Sequence, residues 1–275
     1  MTQVNANLLR FGNIAAFIIT LAINSLANTT VFNGRTTGQV SDLYPTLVTP
    51  AGYVFAIWGI IYVLLLAFVI YQALPSQKDK PFQKQIGLIF ILSSLLNCVW
   101  LFLWQYDFIT ESVIVMFALL ASLIAIYLRL NIGKAKVSLK EKLLVHLPFS
   151  VYLGWITIAA IANVASALVS ANWGGFGLSP EIWAVTVLTV ALVITLAVIV
   201  KRRDIAYSLV IVWALGGIAV KQNTSQNVVT TAEIAIGVIL FVLALAIAIY
   251  RLRYKKTEHE QFQDDAKFPS NTMCL

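Results

Sequence analysis

The sequence predicts an all-α, polytopic integral membrane helix bundle of about eight transmembrane helices. Three observations carry that prediction. Of 275 residues, 60% are hydrophobic and 11% are charged, against about 45–50% and about 25% in soluble domains. The apolar residues gather into long runs separated by short polar clusters. Finally, 17 of the 19 lysines and arginines fall in alternate connecting segments, the bias that orients membrane helices with basic loops inside.

These features argue against a secreted disulfide scaffold, a disordered chain and a nucleic-acid partner. The net charge of +7 describes one face of a membrane protein, suited to anionic lipid. The lipid bilayer is therefore the first partner implied. Cys98 lies inside an apolar run and Cys274 is penultimate, so no bridge between them is expected. Only one residue follows Cys274, which does not meet the prenylation pattern.

A span needs about 20 apolar residues. The runs are Gly12–Asn28, Ala51–Leu74, Ile86–Gln105, Ile109–Leu130, Leu143–Ala171, Glu181–Val200, Ile205–Lys221 and Thr231–Arg251. The first and seventh are short. Thr49-Pro50, Ser179-Pro180 and Asp204 supply helix-start chemistry. Thr230-Thr231-Ala232-Glu233 reads as a capping box, which accounts for Glu233 more simply than a cation site does. Asp107 and Glu111 read as helix-start residues between the third and fourth spans. Gly216-Gly217 would loosen the seventh.

The basic segments place both termini in the cytoplasm, in a multi-pass protein of the cell membrane. Arg10, the apolar stretch after it and Ser25-Leu26-Ala27 also fit a cleavable signal peptide. Asn13 and Asn24, which interrupt that stretch, favour a retained, packed helix. The segment 253–275 is polar and is expected to be a disordered cytoplasmic tail.

Catalysis within a membrane needs ionisable or metal-binding side chains facing a cavity. Here there are two histidines, His146 near an inner helix end and His259 in the tail, and no HExxH or CxxC. Gly174-Gly175-Phe176-Gly177 is followed by no lysine, so it is no phosphate loop. A metal site and a catalytic set are therefore not expected. His146 as a haem ligand is the weaker reading beside an interfacial one.

What the chain does carry is aromatics and amides at depth. Asn97, Trp100 and Trp104 share a face of the third span, and Trp155, Ala159 and Asn163 share a face of the fifth. Trp58 lies about two turns into the second. Trp104, Trp173 and Trp183 sit near outer ends and read as members of the interfacial belt. Ala162, Ser166 and Ser170 form a small-residue stripe suited to close packing. A stripe of aromatic, small residue and amide can instead wall a pocket for a flat apolar ligand.

Pro50-Ala51-Gly52-Tyr53-Val54-Phe55, with Trp58 and Tyr62, resembles the second-helix signature of the TspO/MBR family, the tryptophan-rich sensory proteins related to the translocator protein or peripheral benzodiazepine receptor. Leu96-Asn97 with Trp100 resembles that family's third helix, and Tyr152 with Trp155 and Asn163 its fifth. The resemblance covers about residues 8–175. It implies a five-helix bundle, 1–175, followed by three additional helices, 176–252.

The resemblance further implies a pocket for hydrophobic ligands, tetrapyrroles such as protoporphyrin IX or haem among them, covered by the first loop. Carried over by motif, Trp58, Asn97, Trp100, Trp155 and Ala159 would line it, and Asn163 shares their face of the fifth span. The stretch Val164–Trp173 lacks the tyrosine and base of the family's sterol-recognition pattern. A sensor or regulator is the function so implied, with a transporter or carrier of a small hydrophobic molecule as the alternative and porphyrin degradation as a third reading. The resemblance also admits a homodimer.

Overall fold

The computed structural model describes residues 6–267, with side chains from 7 to 252. The described residues form eleven α-helices and no strand. They are α1 Ala6–Ala27, α2 Thr37–Leu43, α3 Ile57–Ala73, α4 Pro81–Ile86, α5 Ile89–Gln105, α6 Ile109–Arg129, α7 Leu139–Glu141, α8 Leu147–Ser170, α9 Pro180–Arg202, α10 Ile205–Lys221 and α11 Gln226–Lys267. Six stretches are long and apolar enough to cross a membrane, and α5 and α10 are shorter apolar helices. Together they give the eight runs of the sequence.

The lengths differ from expectation in two places. The first span has 22 residues, because the helix continues back through Arg10. That guanidinium donates to the carbonyls of Gln72 and Ala73, the C-terminal carbonyls of α3 that lack helical partners. The third span has only 17 residues. Gly87, at φ 52°, ends α4 and breaks the run just before it.

α1, α3, α5, α6 and α8 close into a ring, in the packing order α1–α5–α6–α8–α3–α1. α10 packs on the outside of α8, and α9 and α11 pack on α10 and on each other. The joint is close: a Cβ at Gly154 would stand 3.1 Å from the Tyr207 carbonyl oxygen. α8 begins through a π turn, Lys142–His146. Pro148 follows it, lacks an N–H and crowds the carbonyl four residues back, so the widened turn absorbs a fault of its own sequence.

Several helix ends follow the sequence and several do not. Ser179 accepts from Ile182 N and Asp204 from Tyr207 N, capping α9 and α10. Thr49 caps nothing; it pairs with Thr46 at 2.7 Å, and a 3₁₀ turn over Gly52–Ala56 leads into α3. The capping box at Thr230 is not formed, because α11 begins at Gln226 and leaves Glu233 exposed inside the helix. Asp107 pairs with Arg35 rather than capping α6.

α11 also continues to Lys267, past residue 253 where a disordered tail was expected. Residues 251–267 hold no glycine or proline and are rich in Lys, Arg, Glu and Gln, which favour helix. The remainder of that tail, with Cys274, lies outside the described residues.

Candidate ligand-binding site

The tryptophans of the ring converge near the end of the bundle that carries the first loop. Trp155 on α8 is 2% exposed and Trp100 on α5 is 5% exposed. Trp58 on α3 stacks on Tyr62 at 5.6 Å between centroids. It meets Tyr152 and Trp155 edge-on at 5.9 and 6.2 Å. Phe55 meets Trp155 edge-on at 5.8 Å, and Trp100 stacks on Trp104 at 5.7 Å. These are the offset and perpendicular geometries that ring quadrupoles favour.

Two small cavities remain between the rings. One, of about 40 Å³, is walled by Trp58, Trp100, Trp104, Trp155, Ala159 and Asn163 and covered by Thr37, Ser41, Thr49 and Pro50 of the first loop. The other, of about 50 Å³, lies between Asn24, Trp58, Tyr62, Trp100 and the loop at Thr37–Gly38. Sites for drug-sized ligands run to about 300–1,000 Å³, so the aromatic site is closed in this structure.

The polar groups separate into anchors and a free donor. Trp100 Nε1 donates to Asn163 Oδ1 at 2.9 Å, and Asn163 Nδ2 donates to Ser112 Oγ at 2.9 Å. Trp104 Nε1 donates to the Thr37 carbonyl at 3.1 Å. Trp155 Nε1 is buried and has no partner. An unmade hydrogen bond of this kind costs roughly 1–3 kcal/mol.

Five of the six residues singled out from sequence therefore border this cavity. Asn97 is fully buried but stands behind the wall. Its Nδ2 donates to Tyr152 Oη at 3.1 Å and its Oδ1 accepts from Asn24 Nδ2 at 2.7 Å. It ties α1, α5 and α8 together, a role in which amides in membranes contribute on average about 0.6 kcal/mol.

Sequence reasoning missed Trp104, read as interfacial but 5% exposed on the cavity wall. Its spacing of four from Trp100 already placed it on that face. It also missed α2. The signal was there, since Thr36 and Gln39 form a full capping box.

The loop above the cavity is held at both edges. On the ring side, Asp107 pairs with Arg35 and accepts from Tyr44 Oη at 3.2 Å. On the other side stands α10. Gln222 Nε2 donates to the Thr46 and Thr49 carbonyls at 3.0 and 3.2 Å. Lys221 pairs with Asp42 at 2.7 Å, Ala51 N donates to the Gly217 carbonyl at 3.0 Å, and Trp213 Nε1 donates to the Val54 carbonyl at 3.2 Å. A Cβ at Gly217 would stand 2.1 Å from Val54 Cγ2. Gly217 is thus a point of close approach in an unbroken helix, not a loosened segment.

No histidine, cysteine or methionine lines either cavity. Of the side-chain types that ligate haem iron, the two linings offer Tyr62, on the wall of the second cavity. His146 is buried in the π turn at the opposite end of α8.

These features define a polytopic helical membrane protein with a closed five-helix ring, a tryptophan-lined interior and a first loop folded over it. A family model described as TSPO-like protein matches residues 9–247, and the chain belongs to that family. The match runs through α9 and α10 and into α11, well beyond the motifs that end by residue 175. Neither the curated proteins nor the solved structures gave a match.

Proposed function

We propose that the protein binds a flat, apolar small molecule of the tetrapyrrole class between α3, α5 and α8, and acts as a sensor or regulator. The observation that carries this is Trp155: a buried, unpartnered indole N–H beside a cavity walled by three further tryptophans. The rings supply stacking faces, and the free N–H supplies one directed contact to a ligand acceptor.

Because the cavities hold only about 40 and about 50 Å³, binding requires the loop over 37–50 to lift. The loop's attachments are the parts of the site that do not span the membrane. Seventeen of the 19 bases lie at the end away from this loop, which supports cytoplasmic termini and a ligand met from the outer side.

The test is a titration of detergent-purified protein with protoporphyrin IX, followed by tryptophan quenching and the Soret band. Saturable binding is expected, weakened about fivefold in Trp155→Phe, the equivalent of one hydrogen bond of about 1 kcal/mol. Absence of saturable binding by a folded protein overturns the reading.

A further inference from the structure

A second, much larger cleft, of about 850 Å³, lies at the same end of the molecule between α8 and α9. α9 follows α8 in sequence but packs on α10 and α11, so two consecutive spans leave a gap between them. The volume falls within the roughly 300–1,000 Å³ of sites that hold drug-sized ligands.

The chemistry of this cleft is specific. Trp173 and Trp183 meet at 5.0 Å between centroids with their planes 57° apart, forming an aromatic corner. Trp183 Nε1 donates to the Gly175 carbonyl at 2.9 Å, so this ring offers its face rather than a donor. Glu181 lies in the same wall, half-buried. Its Oε1 accepts from Ser225 Oγ at 2.6 Å, and it forms no ion pair among the described residues.

No protein cation is at hand to neutralise it. The segments at this end contain two bases, Arg35 and Lys221. Arg35 is paired with Asp107 and Lys221 with Asp42. Its partners are the N-terminal turn of α9, in which it lies, and the Ser225 hydroxyl. A carboxylate with no protein cation beside it, next to aromatic faces in an otherwise apolar cleft, is the arrangement that recognises an organic ammonium.

We propose that this cleft binds a lipophilic organic cation, with its ammonium at Glu181 and its aromatic body against Trp173, Trp183 and α8. A phospholipid that carries an ammonium also carries a phosphate, which would lie near Glu181 with both bases of this end already engaged. The occupant is therefore a monocation without phosphate. The inference does not rest on the tetrapyrrole reading: the cleft shares the loop at Pro45–Val48 and Gln222 with the cover of the inner site, but Glu181, Trp173 and Trp183 line neither inner cavity.

The experiment is a titration of the full-length protein in neutral detergent with ethidium, followed by anisotropy. Saturable binding is expected, weakened at least about tenfold by Glu181→Gln, a change that keeps an acceptor for Ser225. Trp173→Leu is expected to weaken it by about fivefold through loss of one ring face. Protoporphyrin affinity, read at the Soret band, should be unchanged in both variants. The proposal is overturned if folded wild type shows no saturable binding, or if Glu181→Gln binds ethidium as wild type does. Displacement of ethidium by phosphatidylcholine at stoichiometric amounts would overturn the small-molecule assignment in favour of a lipid headgroup.

Discussion

The five-helix ring and the three-helix addition are both apolar helical layers, yet they are held together differently. In the ring, side chains of different helices bond to each other in the interior: Asn13 to Gln72, Asn24 to Asn97, Asn97 to Tyr152 and Trp100 to Asn163. Among the described residues the side-chain bond that joins α9, α10 and α11 to one another lies at a helix end, from Ser225 just before α11 to Glu181 of α9, and none lies in their interior. Those helices bury Ala184, Leu188 and Ala191 of α9 and Val228, Ala232, Ala235 and Ile239 of α11, at steps of three and four. Small and aliphatic stripes of this kind let membrane helices associate by packing alone. The difference teaches where specificity resides. The ring carries the directed contacts of its interior, and the addition meets the loop that covers the inner cavities through one edge, α10.

The strongest way to break that relation is at the closest contact. Gly217→Ala puts a methyl 2.1 Å from Val54 Cγ2, and Val54 is fully buried. Overpacking of this kind costs about 1–3 kcal/mol. The expected result is a lower melting temperature in detergent together with faster hydrogen exchange over residues 44–54. Gly216→Ala is the control. A Cβ there meets nothing within 4 Å, and the change removes the conformational cost of glycine in a helix, so stability should hold or rise. Equal destabilisation by both variants would detach α10 from the loop and dissolve the comparison.

A second pair separates structure from function inside the ring. Trp100→Phe removes a donor that Asn163 uses, and the lost bond should lower stability by about 1 kcal/mol. Trp155→Phe removes a donor that nothing uses; since both variants lose the same ring volume from a buried site, it should cost about 1 kcal/mol less than Trp100→Phe. A stability loss of the same size for Trp155→Phe would show that its N–H has a structural partner.

The amide latch comes next. Gln222→Ala frees the Thr46 and Thr49 carbonyls. If α10 governs the loop, hydrogen exchange should rise in residues 44–50 by about fivefold, for about 1 kcal/mol of lost local stability. No change should appear at Asn97 or Trp100 in the ring. Uniform acceleration across the ring would mean that Gln222 supports the whole fold.

Much of this arrangement was legible in the sequence because membranes enforce it. Backbone groups must be satisfied within each span, so the apolar runs translate directly into helices. The ring's aromatic stripe was legible for the same reason, since spacing on a helix determines which side chains share a face. The illegible part lies where helices meet. Whether Asn97 faces a cavity or Asn24 depends on the packing of α1, which its own helix does not encode. Gly217 reads as a flexible residue until Val54 is placed against it. The capping pattern at Thr230 failed because α11 found an earlier start, with Ser225 already engaged by Glu181. The second cleft depends on α9 leaving α8 for α11, a tertiary choice that no local pattern announces.

The smallest expected effect tests the ion pair between α10 and the loop. Lys221 and Asp42 form an ion pair whose side chains are 32% and 66% exposed. Exposed pairs contribute about 0–1 kcal/mol and are screened by salt. Lys221→Met keeps the apolar stem and removes the charge. Exchange of the loop over 37–43 should rise by no more than about fivefold in low salt, and the difference from wild type should vanish near 1 M, where the Debye length is about 3 Å. The ranking among Gly217, Gln222 and Lys221 is the sharper result. An addition that acts by packing should lose most at the close contact, less at the amide and least at the charge. If Lys221→Met instead released the loop as fully as Gly217→Ala, the attachment would be electrostatic, and Gly217 would be a consequence of the loop's position rather than its cause.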